Sequence, residues 1–198
     1  MAMMRLFLVR HPRPSVGPGL CYGATDVAVA RKDVDIAVGC LAAKLPAGVP
    51  VYSSPLQRCM ALADPLAAKL GAGTPLTDSR LQEMNFGNWE MRAWDNIDRV
   101  EVDDWAADLT DYRPGGGESV LAVAHRVVGF LDDLLQSEAR AGILVCHAGT
   151  IRLLLAWRSG DELCEIARRA ASTAHEIGYG QMHVLDCEQQ ATPALLAS

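Results

Sequence analysis

The sequence has no CxxC pair. Its six cysteines, Cys21, Cys40, Cys59, Cys146, Cys164 and Cys187, are scattered along the chain. That argues against a zinc knuckle or a thioredoxin-type site. Long hydrophobic runs are missing as well. The early apolar stretch, Leu6 to Val9, is short and sits between Arg5 and Arg10, which suits neither a secretory signal nor a membrane span. Positive charge is not in excess: the formal net charge is -6. A general nucleic-acid or membrane-surface binder is therefore not expected, and any anion site must be built locally from a few placed cations. No internal repeat or linker is visible. What is present is enough apolar material, 50% of 198 residues, for one well-buried core. The expectation is a single domain over residues 1–198, reduced and cytoplasmic, with buried or incidental thiols.

Strand and helix patterns alternate. Residues 4–9 read as a buried strand, 32–45 as a helix and 49–52 as a second strand. Ser53 and Ser54 can cap the next helix, with Pro55 in its first turn. That helix runs toward Leu70, and Pro65 predicts a kink or break near Asp64. Residues 74–77 suggest a third strand, and Val120, Val123, Val127, Phe130 and Leu134 mark an amphipathic helix. The run GILVC (142–146) has the fully apolar character of a central strand. Helices are expected at 150–158 and 161–169, and two strands, joined near Gly178-Tyr179-Gly180, within 173–187. The alternation predicts a three-layer α/β/α sandwich with a mostly parallel sheet. Ligands of such folds collect at the carboxyl ends of strands. Arg10-His11, Ser53-Ser54 and His147 each end a predicted strand.

Four short pieces can meet on that rim: Arg10-His11, Arg58, Glu83 and His147-Ala148-Gly149. Arginine forks match phosphoryl oxygens bidentately, and helix N-termini after Ser54 and Ala148 add N–H donors. A neutral imidazole can attack phosphorus and split one hard step into two. The neighbouring guanidiniums would keep it neutral. A carboxyl group can protonate the leaving oxygen and then deprotonate water. This chemistry needs no metal or other cofactor.

LVRH, SSPLQRC (53–59), LQEMNFGNWE (81–90), PGGGES (114–119) and VCHAGTIR (145–152) occur in that order. Together they resemble the signature of the histidine phosphatase superfamily, which has a phosphoglycerate mutase-like fold. The resemblance covers residues 4–158 and implies roles position by position. His11 would be the nucleophile, Glu83 the proton donor, and Arg10, Arg58 and His147 the phosphoryl ligands. Residues 85–117 would form the variable cover of the site. The chain departs from the family pattern RHGxTxxN in having Pro12, Pro14 and Gly17. Pro12 biases His11 toward an extended conformation, and Gly17 removes a polar side chain. Tyr22 and Thr25, in CYGATD, are the candidates to replace it. CYGATD and the short chain resemble the branch that includes α-ribazole phosphatases, whose substrate is an aromatic nucleoside phosphate. Trp94 and Trp105, with Trp89 and Tyr112 near them, would then stack on the base.

A small-molecule phosphate ester is thus the expected partner, with no nucleic acid and no membrane. A homodimer is compatible with the sequence. Phosphoglycerate mutase is a rival activity, although there is little room between 85 and 117 for the insert that retains a bisphosphate. A non-catalytic phospho-ligand binder is a rival of another class, and a phosphoprotein or sugar phosphate is an alternative substrate. Glu90 and Glu118 are alternatives to Glu83, and tryptophans are often core. His125, His175 and His183 read as structural or surface residues, and Cys146 as a small core residue.

Overall fold

The structure is a computed structural model that describes residues 3–173 and 176–189. His175 lies outside the described residues. Five strands form one sheet: β1 (Met3–Arg10), β2 (Val51–Ser53), β3 (Leu76–Thr77), β4 (Ala141–Cys146) and β5 (Met182–Glu188). Their spatial order is β3-β2-β4-β1-β5. All neighbours run parallel except β5, which is antiparallel to β1.

The strand alternation assigns the two faces. Leu6, Leu8, Leu144 and Cys146 pack with α4 (Val120–Gln136), α5 (Ala148–Ala156) and α6 (Leu163–Ser172). Val9, Ile143 and Val145 point the other way, into the layer of α1 (Arg31–Ala42) and α2 (Gln57–Leu70). This is the period-two rule of a strand buried on both faces. The expected three-layer α/β/α sandwich with a mostly parallel sheet is the observed fold. Short 3-10 turns and the helix α3 (Arg99–Ala107) make up most of residues 85–117. Among the described residues, no helix is long and apolar enough to cross a membrane.

Three local expectations need correction. Within the described part of 173–187 there is one strand, β5, where two were expected; Gly178-Tyr179-Gly180 is the turn that leads into it. The helix after β2 starts at Gln57, with Leu56 at its N-cap and no side-chain cap from Ser53 or Ser54. The carboxylate of Asp26 accepts from Gln57 N (2.7 Å) in their place. Helix α2 also runs through Pro65, so of the expected kink or break the break is absent. Proline cannot donate to the carbonyl of Ala61, four residues earlier. Ala61 is on the exposed face of the helix, so water can satisfy that carbonyl.

Pro65→Ala should therefore stabilise the protein. Proline in a helix interior costs about 3 kcal/mol, and roughly 1 kcal/mol of that is offset by restriction of the unfolded chain. The expected gain is about 2 kcal/mol, read as a higher urea midpoint at unchanged slope. An unchanged midpoint would mean that the helix has already relaxed around the proline.

Candidate active site

The strand register builds the site. Arg10 pairs with Cys146 and Ser53 with Val145, so three strands end almost level. The next residues along β1 and β4 are His11 and His147, whose rings lie 5.1 Å apart. Beside them opens a cleft of about 510 Å³, lined by Arg10, His11, Tyr22, Arg58, Glu83 and Tyr179 at its polar end.

His11 is 2% exposed. Its Nδ1 lies 2.7 Å from the carbonyl oxygen of Pro12. A carbonyl only accepts, so Nδ1 carries the proton and the Nε2 lone pair is free. Burial lowers its pKa to about 3, with Arg58 and Arg10 adding to the effect against the raising bond to Pro12. The ring is therefore neutral at physiological pH, as a nucleophile requires. Pro12 contributes through its carbonyl as well as its ring.

Arg58 is fully buried. Its Nη1 donates to Thr25 O (2.8 Å), Nη2 to Gly23 O (2.5 Å) and Nε to His147 Nδ1 (3.2 Å). Arg10 donates through Nη1 to Ile177 O (2.5 Å), and its Nε is buried without a partner among the described residues. Neither guanidinium joins an ion pair there. Two cations held by neutral acceptors leave their charge for an incoming anion.

His147 sits behind this site. Its ring is fully buried and is absent from the cleft lining. Nδ1 accepts from Arg58, so Nε2 carries the proton and donates to Ser54 Oγ (2.8 Å). Burial, then Arg58, hold its pKa well below the ordinary imidazole value. Both ring nitrogens of His147 are thus engaged by neighbouring side chains, and Nδ1 helps to hold the Arg58 guanidinium.

Glu83 lines the cleft and accepts from Met84 N and Gly149 N, each at 3.1 Å. One N–H at the start of α5 is thus taken by a carboxylate, as one at the start of α2 is by Asp26. Thr25 stands outside the cleft lining; its hydroxyl donates to Glu90 Oε2 (2.5 Å). Tyr22 is in the lining. Of the tryptophans, Trp94 and Trp105 face the cleft with planes 8° apart, while Trp89 is buried and donates to Glu101 Oε2 (2.6 Å). Tyr112 packs behind them. His125 is exposed and, like His183, lies outside the lining.

Several supporting residues do something other than the sequence suggests: Glu90 and Glu118, read there as alternatives to Glu83, hold backbone N–H groups instead. Glu90 accepts from the N–H groups of Gly23, Ala24, Thr25 and Phe86. Burial raises its pKa, and these bonds with that of the Thr25 hydroxyl outweigh it, so the net shift is downward. Glu90 thereby shapes the loop whose carbonyls hold Arg58. Gly23 is required there: a Cβ would lie 1.8 Å from Met84 O. Arg126 pairs with Glu118 and donates to the carbonyls of Arg80, Gln82 and Glu83, which fixes the segment that carries Glu83. A cation on the otherwise apolar face of α4 was the available hint. Tyr179 had none.

An α/β protein with an anion site at the carboxyl edge of its sheet, next to a neutral buried imidazole, belongs with the phosphoryl-handling folds. Residues 6–189 match the histidine phosphatase superfamily (branch 1), and the chain belongs to that family. It is similar to the adenosylcobalamin/alpha-ribazole phosphatase of Salmonella typhimurium, 35% identical over 80 residues that cover 38% of this chain and 40% of that one. The Salmonella typhi protein of the same name is 32% identical over 124 residues, 60% of this chain and 58% of its own length. The matched stretches thus span less than two thirds of these relatives. Among solved structures, mycobacterial hydrolase 2 superposes with a TM-score of 0.75 at 25% identity, covering 94% of this chain and 83% of that one. A mycobacterial glucosyl-3-phosphoglycerate phosphatase shares the fold, with a TM-score of 0.73 at 23% identity over 93% and 90% of the two chains.

Two predictions follow from this geometry. Gly149→Ala would place a Cβ 2.3 Å from Glu83 Oε1. The flexible carboxylate moves rather than the fold, so kcat for phosphate ester hydrolysis should fall about 10- to 100-fold with little change in melting temperature. An unchanged kcat would remove Glu83 from the chemistry. The second concerns pH. The folded pKa of His11, about 3, lies below its ordinary 6.5. The unfolded chain therefore binds the proton first, and stability is lost as pH falls from about 6.5 toward 3. His11→Gln should flatten the acid slope of unfolding free energy by up to about 1.4 kcal/mol per pH unit. Coincident slopes for the two proteins would contradict a buried neutral His11.

Proposed function

We propose that this protein is a phosphomonoesterase that works through a phosphohistidine on His11 and needs no metal for the transfer. The observation that supports it most is the Arg10–Arg58 pair, which among the described residues has no carboxylate partner, beside a neutral imidazole whose Nε2 has no hydrogen bond there. The phosphoryl group sits against the two guanidiniums, which neutralise its oxygens. The Nε2 lone pair of His11 attacks phosphorus, the P–O ester bond breaks, and protonated Glu83 delivers its proton to the leaving oxygen. In the second half Glu83 takes a proton from water. That oxygen attacks phosphorus, the P–N bond breaks, and inorganic phosphate leaves.

The far end of the cleft supports a flat leaving group. Phe86, Trp94, Trp105, Leu109 and Val120 make an apolar wall. The side chains of Trp105 and Arg152, each with a buried N–H that has no partner among the described residues, belong to the same lining. A planar base with acceptor atoms matches that wall. The names of the Salmonella relatives support α-ribazole 5′-phosphate as the ester.

The test is turnover in the presence of EDTA, with p-nitrophenyl phosphate, α-ribazole 5′-phosphate, 3-phosphoglycerate and a sugar phosphate. Wild-type protein should hydrolyse the aromatic nucleoside phosphate best and trap an acid-labile phosphoryl label. His11→Ala should do neither. Trp94→Ala and Trp105→Ala should raise KM for the nucleoside phosphate by about fivefold or more and spare p-nitrophenyl phosphate relatively. Dependence on a bisphosphate cofactor would favour a mutase, and phosphate binding without turnover would favour a non-catalytic binder.

A further inference from the structure

We infer that Tyr179 is a phosphoryl-binding residue, and that the Tyr22–Tyr179 hydroxyl pair directs one uncommitted O–H at the phosphoryl oxygens. This rests on the phosphoryl reading of the cleft above. The two hydroxyl oxygens lie 2.7 Å apart. Two phenols carry two protons, and their mutual bond uses one. Neither hydroxyl has another partner among the described residues, and both side chains line the cleft beside Arg10, His11 and Arg58.

The pair is placed on the cations from both sides. The Arg10 guanidinium lies 3.8 Å from the centre of the Tyr179 ring, and that of Arg58 lies 5.7 Å from the centre of the Tyr22 ring. The rings of Tyr179 and His11 are 5.7 Å apart. Burial and the bond to Tyr179 push the Tyr22 hydroxyl's pKa up against the opposing pull of Arg10 and Arg58. Tyr22 thus keeps its proton and can donate.

Tyr179 is held in register with the nucleophile by backbone. Gly180 N lies 3.1 Å from Arg10 O and 3.2 Å from His11 O, and Arg10 N donates to Gln181 O at 3.0 Å. Gly180 permits this turn with φ +69°. Gly17, by contrast, is outside the cleft lining and has only Leu20 near its Cβ position, at 3.9 Å. The polar group missing at position 17 is therefore supplied from the opposite end of the chain.

The experiment measures dissociation constants for orthovanadate and inorganic phosphate by titration calorimetry, with circular dichroism melting as the folding control. Tyr179→Phe keeps the ring on Arg10 and removes the hydroxyl; Tyr179→Leu removes both. Loss of a hydrogen bond to a charged oxygen should weaken vanadate binding by about tenfold or more in Tyr179→Phe, at unchanged melting temperature. Tyr179→Leu should bind more weakly still. Wild-type affinity in Tyr179→Phe overturns the inference, as does a loss that appears only with a lowered melting temperature. If the wild type binds vanadate but neither turns over nor labels His11, the esterase reading falls, and the same binding constants still decide the role of Tyr179. If the wild type binds neither anion, both fall.

Discussion

Arg58 is fully buried and Arg10 half-buried, and no carboxylate touches either guanidinium among the described residues. Burying a charge is expensive unless its donors are satisfied. Here carbonyl oxygens and one imidazole nitrogen accept from these guanidiniums without neutralising their charge. An ion pair would have stabilised these residues and cancelled their use. Much of the surrounding structure follows from keeping carboxylates close enough to organise the site and too far to occupy it.

Glu90 illustrates the arrangement. It satisfies the N–H groups of the Gly23–Thr25 loop, and that loop turns its carbonyls toward Arg58. The negative charge acts one layer away. Glu118 acts similarly through Arg126, which fixes the backbone before Glu83. His147 completes the set by accepting from Arg58 at Nδ1 and donating a hydrogen bond from Nε2–H to Ser54 Oγ. The His11 ring is tuned by the same surroundings: burial and two cations keep it neutral, and the Pro12 carbonyl fixes its tautomer. With a net charge of -6, the molecule offers no general attraction to anions, so affinity has to arise at this one rim.

Beside the anion site stands an aromatic wall. Phe86, Trp94 and Trp105 come from a stretch of turns and one short helix, packed on the buried Trp89. Their rings meet edge to face except for the near-parallel Trp94 and Trp105. Such a cluster stays ordered through its own contacts, so the wall can vary without disturbing the sheet that carries the chemistry.

The sequence by itself determined the layers and the strand ends. The apolar runs at Leu6–Val9 and 142–146 marked which residues are core, because burial on both faces demands that composition. It also determined that Arg10-His11 and His147 follow strands, and local order set Arg58 and Glu83 in recognisable contexts. It misjudged Pro65, since propensity says nothing of which helix face is wet, and it mistook the approach to β5 for a strand. Only the tertiary structure decided the rest. Tyr179 reaches His11 because β5 turns back antiparallel along β1, and no local pattern encodes its bond to Tyr22, 157 residues away. Thr25 went to Glu90 rather than to the cleft, and His147 went beneath Arg58. Which hydrogen-bond partner a polar side chain takes depends on distances fixed when the layers pack, and residue type alone does not specify them.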